Sequence, residues 1–279
     1  MRANCLYEEV DQGIFDYNCT DNKIGDVCGF RNFDGKQKDI VCIGAAQTMG
    51  RFVHNDYPSL IENNSDYSVA NLGWGGAGVH QYDTKEFIEY INNSKLLIYQ
   101  ILSGRSMPNI HKNFSIPKSE LPLKSIVKDS IASIPQAIDH LYRNDYDKFI
   151  KCFENNSVDY LRACQAFRNK IKVPVMYIHI SRQDWNKTIP PKPETNDSSF
   201  CHSTLYAFPH LVTGEMVKKL VGNDKLGCFR QADFIRLPSR PKNYKSVVEH
   251  SHVFFTNQYY PDQETHYDIA EFCIKNMNI

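Results

Sequence analysis

Five basic residues, Arg51, Arg105, Lys112, His179 and Arg182, fall at or just beyond the carboxyl ends of three apolar runs, Ile40–Ile43, Leu96–Leu102 and Val173–Ile180. Arginine grips phosphate, sulfate or carboxylate through paired hydrogen bonds. Open α/β sheets bind their ligands at the carboxyl ends of their strands. Small-residue loops follow the runs Ile40–Ile43, Tyr67–Leu72 and Leu96–Leu102: Gly44-Ala-Ala-Gln-Thr-Met-Gly50, Gly73-Trp-Gly-Gly-Ala-Gly78 and Ser103-Gly-Arg-Ser-Met-Pro-Asn109. Their backbone N–H groups add to the same positive field. The chemistry this pattern points to is recognition of an anionic ligand in a crevice. The plainer alternative is that these bases pair with Asp56, Asp83 or Asp184 as ordinary surface ion pairs, which contribute little. On that view the glycines only let helices pack close to strands.

Positioning such loops takes a doubly wound sheet. Strands are expected at Ile40–Ile43, Tyr67–Leu72, Leu96–Leu102, Val173–Ile180 and within Ala232–Leu237. The fourth is an almost continuous apolar run, as a parallel sheet buried on both faces requires. A helix carrying Phe52, Tyr57 and Leu60 should follow the first loop, and Asp83–Ile91 should present Phe87, Ile88 and Ile91 on one face. Thr265–Asn276 should form the last helix, with Ile269, Phe272 and Cys273 inward. About 70 residues separate strands three and four, far beyond a simple crossover. Helical periodicity over Ile126–Ala137, Ile138–Phe153 and Val158–Ile171 predicts a helical insertion, residues 115–171, covering one edge of the site. Pro135 is expected to interrupt it. Residues 1–37, punctuated by Gly13, Gly25, Gly29 and Gly35, read as an N-terminal arm. The expectation is one α/β domain over 1–279: a flavodoxin-like, three-layer α/β/α fold with a five-stranded parallel sheet.

Composition narrows the function classes. The 32 basic and 32 acidic residues cancel, so the overall charge does not suggest a nucleic-acid partner. No apolar run approaches the roughly 20 residues that span a bilayer. The first residues lack the apolar stretch of a signal peptide, and a cytoplasmic protein is expected. The nine cysteines form no CxxC pair, so no metal site is expected and the thiols read as reduced and structural. Oligomeric state leaves no trace in the pattern.

The loop blocks resemble those of the SGNH hydrolases, a superfamily of esterases and acyltransferases on a flavodoxin-like sheet. Gly44 to Gly50 matches the spacing of Gly-Asp-Ser-x-Thr-x-Gly, and Asn71 to Gly76 matches Asn-x-Gly-x-x-Gly. Tyr260-Pro-Asp-Gln-Glu-Thr-His266 places a histidine at the start of the final helix, as that superfamily does. The resemblance implies His266 as base, Asp262 as its orienting acid and Gly76 as an oxyanion donor. Gln47, Thr48, Ser106 and Asn109 join as further site residues. The departures are specific: Ala46 stands at the nucleophile position, the third block reads Gly104-Arg-Ser-Met, and Gln263 occupies the usual acid position. Most of the chain is also similar to an uncharacterised bacterial family, through Tyr7 to Tyr17, the first loop and Phe208-Pro-His-Leu-Val-x-x-x-Met216. The first loop further resembles that of WcbI-type capsule-biosynthesis proteins, implicated in acyl transfer from coenzyme A.

A Ser-His-Asp machine cannot run without its hydroxyl. The leading expectation is therefore a transferase acting on a glycan or other hydroxyl acceptor, with polysaccharide biosynthesis as its setting. Its anionic donor would be a coenzyme A thioester or phosphoadenosine phosphosulfate. It needs a base but no enzyme nucleophile. The alternatives are an esterase using Thr48 or Ser106, and a non-catalytic anion- or glycan-binding domain. Each has its bland counterpart: Gln47 as a helix cap, His266 as a satisfied helix-terminal histidine.

Overall fold

A computed structural model of the chain describes residues 1–11, 14–114, 130–181, 185–193, 205, 207–230, 235–236, 256–257, 259–277 and 279. In chain order the elements are α1 (Cys5–Asp11), β1 (Ile40–Gly44), α2 (Ala46–Met49), α3 (Tyr57–Asn63), β2 (Val69–Gly73), α4 (Val79–Tyr82), α5 (Lys85–Asn92) and β3 (Leu96–Gln100). A 3-10 turn, Gly104–Ser106, follows, then α6 (Ile110–Asn113), α7 (Ser130–Asn144), α8 (Tyr146–Lys170) and β4 (Val175–Ser181). The chain continues with α9 (Gly214–Val221), β5 (Lys225–Arg230), β6 (Ile235–Arg236), β7 (Thr256–Asn257) and α10 (Gln263–Asn276).

Strands β1 to β5 form one sheet in the order β2-β1-β3-β4-β5, and every neighbouring pair is parallel. Apolar side chains on both faces of each central strand produce this arrangement. Val41, Ile43, Leu97, Tyr99, Val175 and Tyr177 face one core with Phe87 of α5, Phe167 of α8 and Val217 of α9. Ile40, Cys42, Leu96, Ile98, Met176 and Ile178 face the other, with Tyr57 and Ile61 of α3 and Ile269 and Cys273 of α10. The fold class is thus a five-stranded parallel α/β sheet with helices on both faces. The helices start at side-chain caps: Asp56, Thr84, Thr213 and Asp262 accept from backbone N–H groups in the first turn.

Several boundaries differ from the sequence reading. The fifth parallel strand is Lys225–Arg230, not Ala232–Leu237. As an edge strand it keeps only Gly227 buried, so it lacks the apolar run that marks the central strands. Ile235–Arg236 instead pairs antiparallel with Thr256–Asn257, and the rest of that expected strand lies outside the described residues. Phe52 is not helical: Gly50 (φ +79°) ends α2 and Phe52 itself has φ +70°. The insertion helices divide elsewhere than expected, at Asp145 inside the expected Ile138–Phe153 helix. Pro135 lies inside α7, and α8 passes unbroken through Glu154-Asn-Asn-Ser157. The polar patch reads as a break, but Asn156 turns inward and donates to the Gly104 carbonyl at 3.1 Å. Residues 115–129 of the expected insertion fall outside the described residues. Among the described residues no helix is long and apolar enough to cross a membrane.

Candidate functional site

The loop after β1 is held from below. Gln100, buried at the end of β3, accepts through Oε1 from the Ala45 N–H at 2.9 Å and from the Thr48 hydroxyl at 2.6 Å. Asn71 on β2 donates to the Thr48 carbonyl and to Asp56, while its Oδ1 takes the Gly73 N–H. Asp56 forms a buried ion pair with Arg31 at 2.9 Å. The Arg31 guanidinium also donates to the carbonyls of Gly50, Val53 and His54. Gly73 is required here, because a side chain would collide with the backbone of Met49. These contacts aim Ala45, Ala46 and Gln47 at the solvent end of the sheet.

There they meet the loops after β2 and β3 around a crevice of about 440 Å³. Ala46, Gln47 and Gly76 line one side. Ser103, Arg105 and Ser106 line another, with His80, His111, His210, Tyr7, Tyr259 and Tyr260 completing the polar and aromatic wall. No aspartate or glutamate is among the described lining residues. Gly76 holds φ +77° with open space where a side chain would stand, so only a residue tolerant of that conformation keeps the floor open. Gln47 is 1% exposed. Its Oε1 accepts from Gln100 at 3.3 Å. The Tyr259 phenol lies beside Gln47 and Arg105, yet no acceptor stands in hydrogen-bonding geometry to Gln47 Nε2. His111 Nδ1 is likewise buried without a partner.

The structure thus gathers Gln47, Gly76, Arg105 and Ser106 and separates the other expected site residues. Thr48 lies beneath the loop, its hydroxyl committed to Gln100 and within 3.0 Å of the Tyr57 hydroxyl. Asn109 is exposed at the start of α6 and outside the crevice lining, and Lys112 is exposed as well. Arg51 is a buttress: it pairs with Asp11 at 2.8 Å, bonds the Tyr260 hydroxyl and lies over the Tyr7 ring. His179 is buried in β4, its pKa pushed down to about 3 by burial and the nearby Lys187 charge. Arg182 lies outside the described residues.

His266 is the largest displacement from expectation. It is fully buried and stacks on Tyr57 at 5.9 Å, and its Nδ1 accepts the Tyr57 N–H at 3.0 Å. The proton therefore sits on Nε2, which has no partner. Burial, with Arg31 adding to it, lowers its pKa to about 3. Asp262 caps α10 through the Thr265 N–H and hydroxyl, so it does not orient the ring.

The histidines that do reach the crevice come from elsewhere. His210 stands in the loop before α9, stacked on Tyr259 at 5.7 Å, with Nδ1 3.2 Å from Ser103 Oγ. Burial, then the charges of Arg105 and Lys187, hold its pKa well below the usual histidine value. Burial also lowers that of His80. Sequence reading passed over His210, whose only trace is the Phe208-Pro-His-Leu segment. It also passed over Ser103, the first residue of the third loop block. A pairing across 107 residues leaves no local pattern.

Comparison with known proteins assigns no activity. A family model described as a domain of unknown function (DUF6473) matches residues 30–114, which include β1 to β3 and their loops. No curated protein matches the chain. Among solved structures, the chain is similar to an extracellular lipase from Streptomyces rimosus, with 10% identity and a TM-score of 0.35. The match covers 68% of this chain and 79% of the lipase.

Proposed function

We propose that the crevice binds an anionic small molecule and transfers a group from it to a hydroxyl acceptor. The observation that carries this reading is the lining: Arg105 and three histidines with no carboxylate among the described residues. A guanidinium beside the unpartnered Gln47 Nε2 suits phosphate, sulfate or carboxylate oxygens. The donor classes proposed are a coenzyme A thioester and phosphoadenosine phosphosulfate. Tyr7, Tyr259 and Tyr260 supply flat apolar walls against which the ring of a sugar acceptor fits. With His266 turned into the core, the base belongs among the crevice histidines.

Thermal unfolding with coenzyme A, phosphoadenosine phosphosulfate and nucleotide sugars tests the reading. A ligand specific to the folded state adds about 2.7 kcal/mol at 100 times its dissociation constant. Arg105→Ala should weaken the binding ligand roughly 10- to 100-fold, the range of a charged hydrogen bond. If none of these anions shifts the melting temperature, the reading fails.

A further inference from the structure

The crevice contains a hydroxyl–imidazole contact that the first loop does not supply. We propose that Ser103 and His210 form a nucleophile–base pair, so that the hydroxyl missing at Ala46 is supplied from the end of β3 and takes up an acyl group from an ester or thioester. Ser103 Oγ and His210 Nδ1 are 3.2 Å apart, and both residues line the crevice although only 4% and 2% exposed.

The pair is held by the fold from both sides. The Gly104 N–H donates to the His210 carbonyl at 2.9 Å, tying the two loops backbone to backbone. Lys187 Nζ donates to the carbonyls of Ala207 and Phe208, both at 3.0 Å, and to Pro209 at 3.4 Å, gripping the turn that presents the imidazole. Leu211, immediately after His210, has φ +57°. A bulky residue in that region is strained and persists where its surroundings impose it, commonly at functional sites. Capping explains only part of the serine. Its Oγ accepts the Arg105 N–H at 3.2 Å, a role that needs an acceptor alone. With the imidazole proton on Nε2 the hydroxyl can donate to Nδ1, and the His210 carbonyl at 3.4 Å is its more distant alternative.

The chemistry balances without a further reagent. Ser103 Oγ bonds to the carbonyl carbon as its proton passes to His210 Nδ1. The bond to the leaving oxygen or sulfur breaks, and that atom takes the proton as alcohol or thiol. An acceptor hydroxyl, or water, then gives its proton to His210, bonds to the acyl carbon and releases Ser103, which recovers the proton. Gln47 Nε2, unpartnered in the same crevice, is available to the carbonyl oxygen as charge develops. Burial, with the Arg105 and Lys187 charges adding to it, keeps His210 neutral and also weakens it as a base; an anionic donor paired with Arg105 offsets the charge part of that weakening.

This deepens the proposed function and rests on the crevice being the substrate site. A fluorophosphonate reports on it directly: serine oxygen bonds to phosphorus, fluoride leaves, and the proton passes through the base. The expected result is an adduct on Ser103, located by peptide mass spectrometry of the unaltered protein. His210→Gln, checked for folding by its melting curve, should slow labelling by about 100-fold, the lower range for a general base. No adduct, an adduct on Ser106 or Thr48, or equal labelling of the variant overturns the pair. If that variant does not fold, the adduct position on the unaltered protein decides alone. Labelling of Ser103 without any anion-induced melting shift would retain the pair and reject the anionic donor. A melting shift without labelling would do the reverse.

Discussion

The two sides of the sheet's carboxyl end use their polar residues in opposite ways. Around β1 and β2, Arg31, Asp56, Asn71, Thr48 and Gln100 bond to one another or to nearby backbone, and His266 faces the Tyr57 backbone rather than a ligand. Around β3 and the loop before α9, Arg105, His111 and the Ser103–His210 contact open on the crevice. The first side is a polar core that shapes a loop, and the second lines the crevice. Buried polar residues at a strand end are therefore not evidence of a site by themselves. What distinguishes the two sides is whether the polar groups line the crevice or lie beneath its floor.

The largest test of that contrast is stability. Removing one partner of a buried ion pair leaves the other charge uncompensated, typically at a cost of about 3–5 kcal/mol. Asp56→Ala would strand Arg31, which is 3% exposed, and also take away a partner of Asn71 and the cap of α3. We expect a loss in that range by denaturant titration. A loss below about 1 kcal/mol would mean that the network does not clamp the loop, erasing the distinction between the two sides.

Acid sensitivity comes next. His179 and His266 are both lowered to about 3 from 6.5, chiefly by burial, so the folded protein binds fewer protons than the unfolded chain. Their contribution is fully present above pH 6.5 and is lost as the pH falls from there toward 3. Each group contributes a slope of about 1.4 kcal/mol per pH unit within that window. His266→Gln keeps an acceptor for the Tyr57 N–H and removes the titration. Denaturation midpoints at about pH 7.5, 6 and 5, spanning the upper part of that window, should show a flatter acid decline in the variant. An unchanged slope would mean that His266 is not held neutral by its surroundings.

The order of legibility follows from the physics. The central strands and the flanking helices could be read because burial on both faces demands continuous apolar runs, as in Val175–Ser181. β5 was misplaced because an edge strand relaxes that demand. That Gln47, Gly76, Arg105 and Ser106 lie at one crevice could be read because local small-residue loops mark strand ends. His266 misled because its place at the start of a helix looks the same in sequence whether the ring faces a crevice or a tyrosine. The fold alone decides that orientation, through packing of α10 against α3. Ser103 and His210 meet only because β3 and the loop before α9 converge, and a contact over 107 residues has no period to detect.

The smallest expected effect concerns Ala46, at the corner where β1 turns into α2. Ala46 is 3% exposed and lines the crevice, so Ala46→Ser adds one hydroxyl at its edge and should change stability by less than about 1 kcal/mol. A serine there becomes a nucleophile only if a base can take its proton. The histidine implied by resemblance is unsuited to serve as that base, because its Nδ1 is occupied by the Tyr57 N–H and its pKa is lowered to about 3. The crevice base proposed above, His210, is engaged with Ser103, so turnover of p-nitrophenyl acetate should be the same in Ala46→Ser as in the unaltered protein. A gain in turnover that His266→Gln then abolishes would show that the ring swings out of the core to serve the first loop. The two sides would then be one machine, and the division drawn between them would fall.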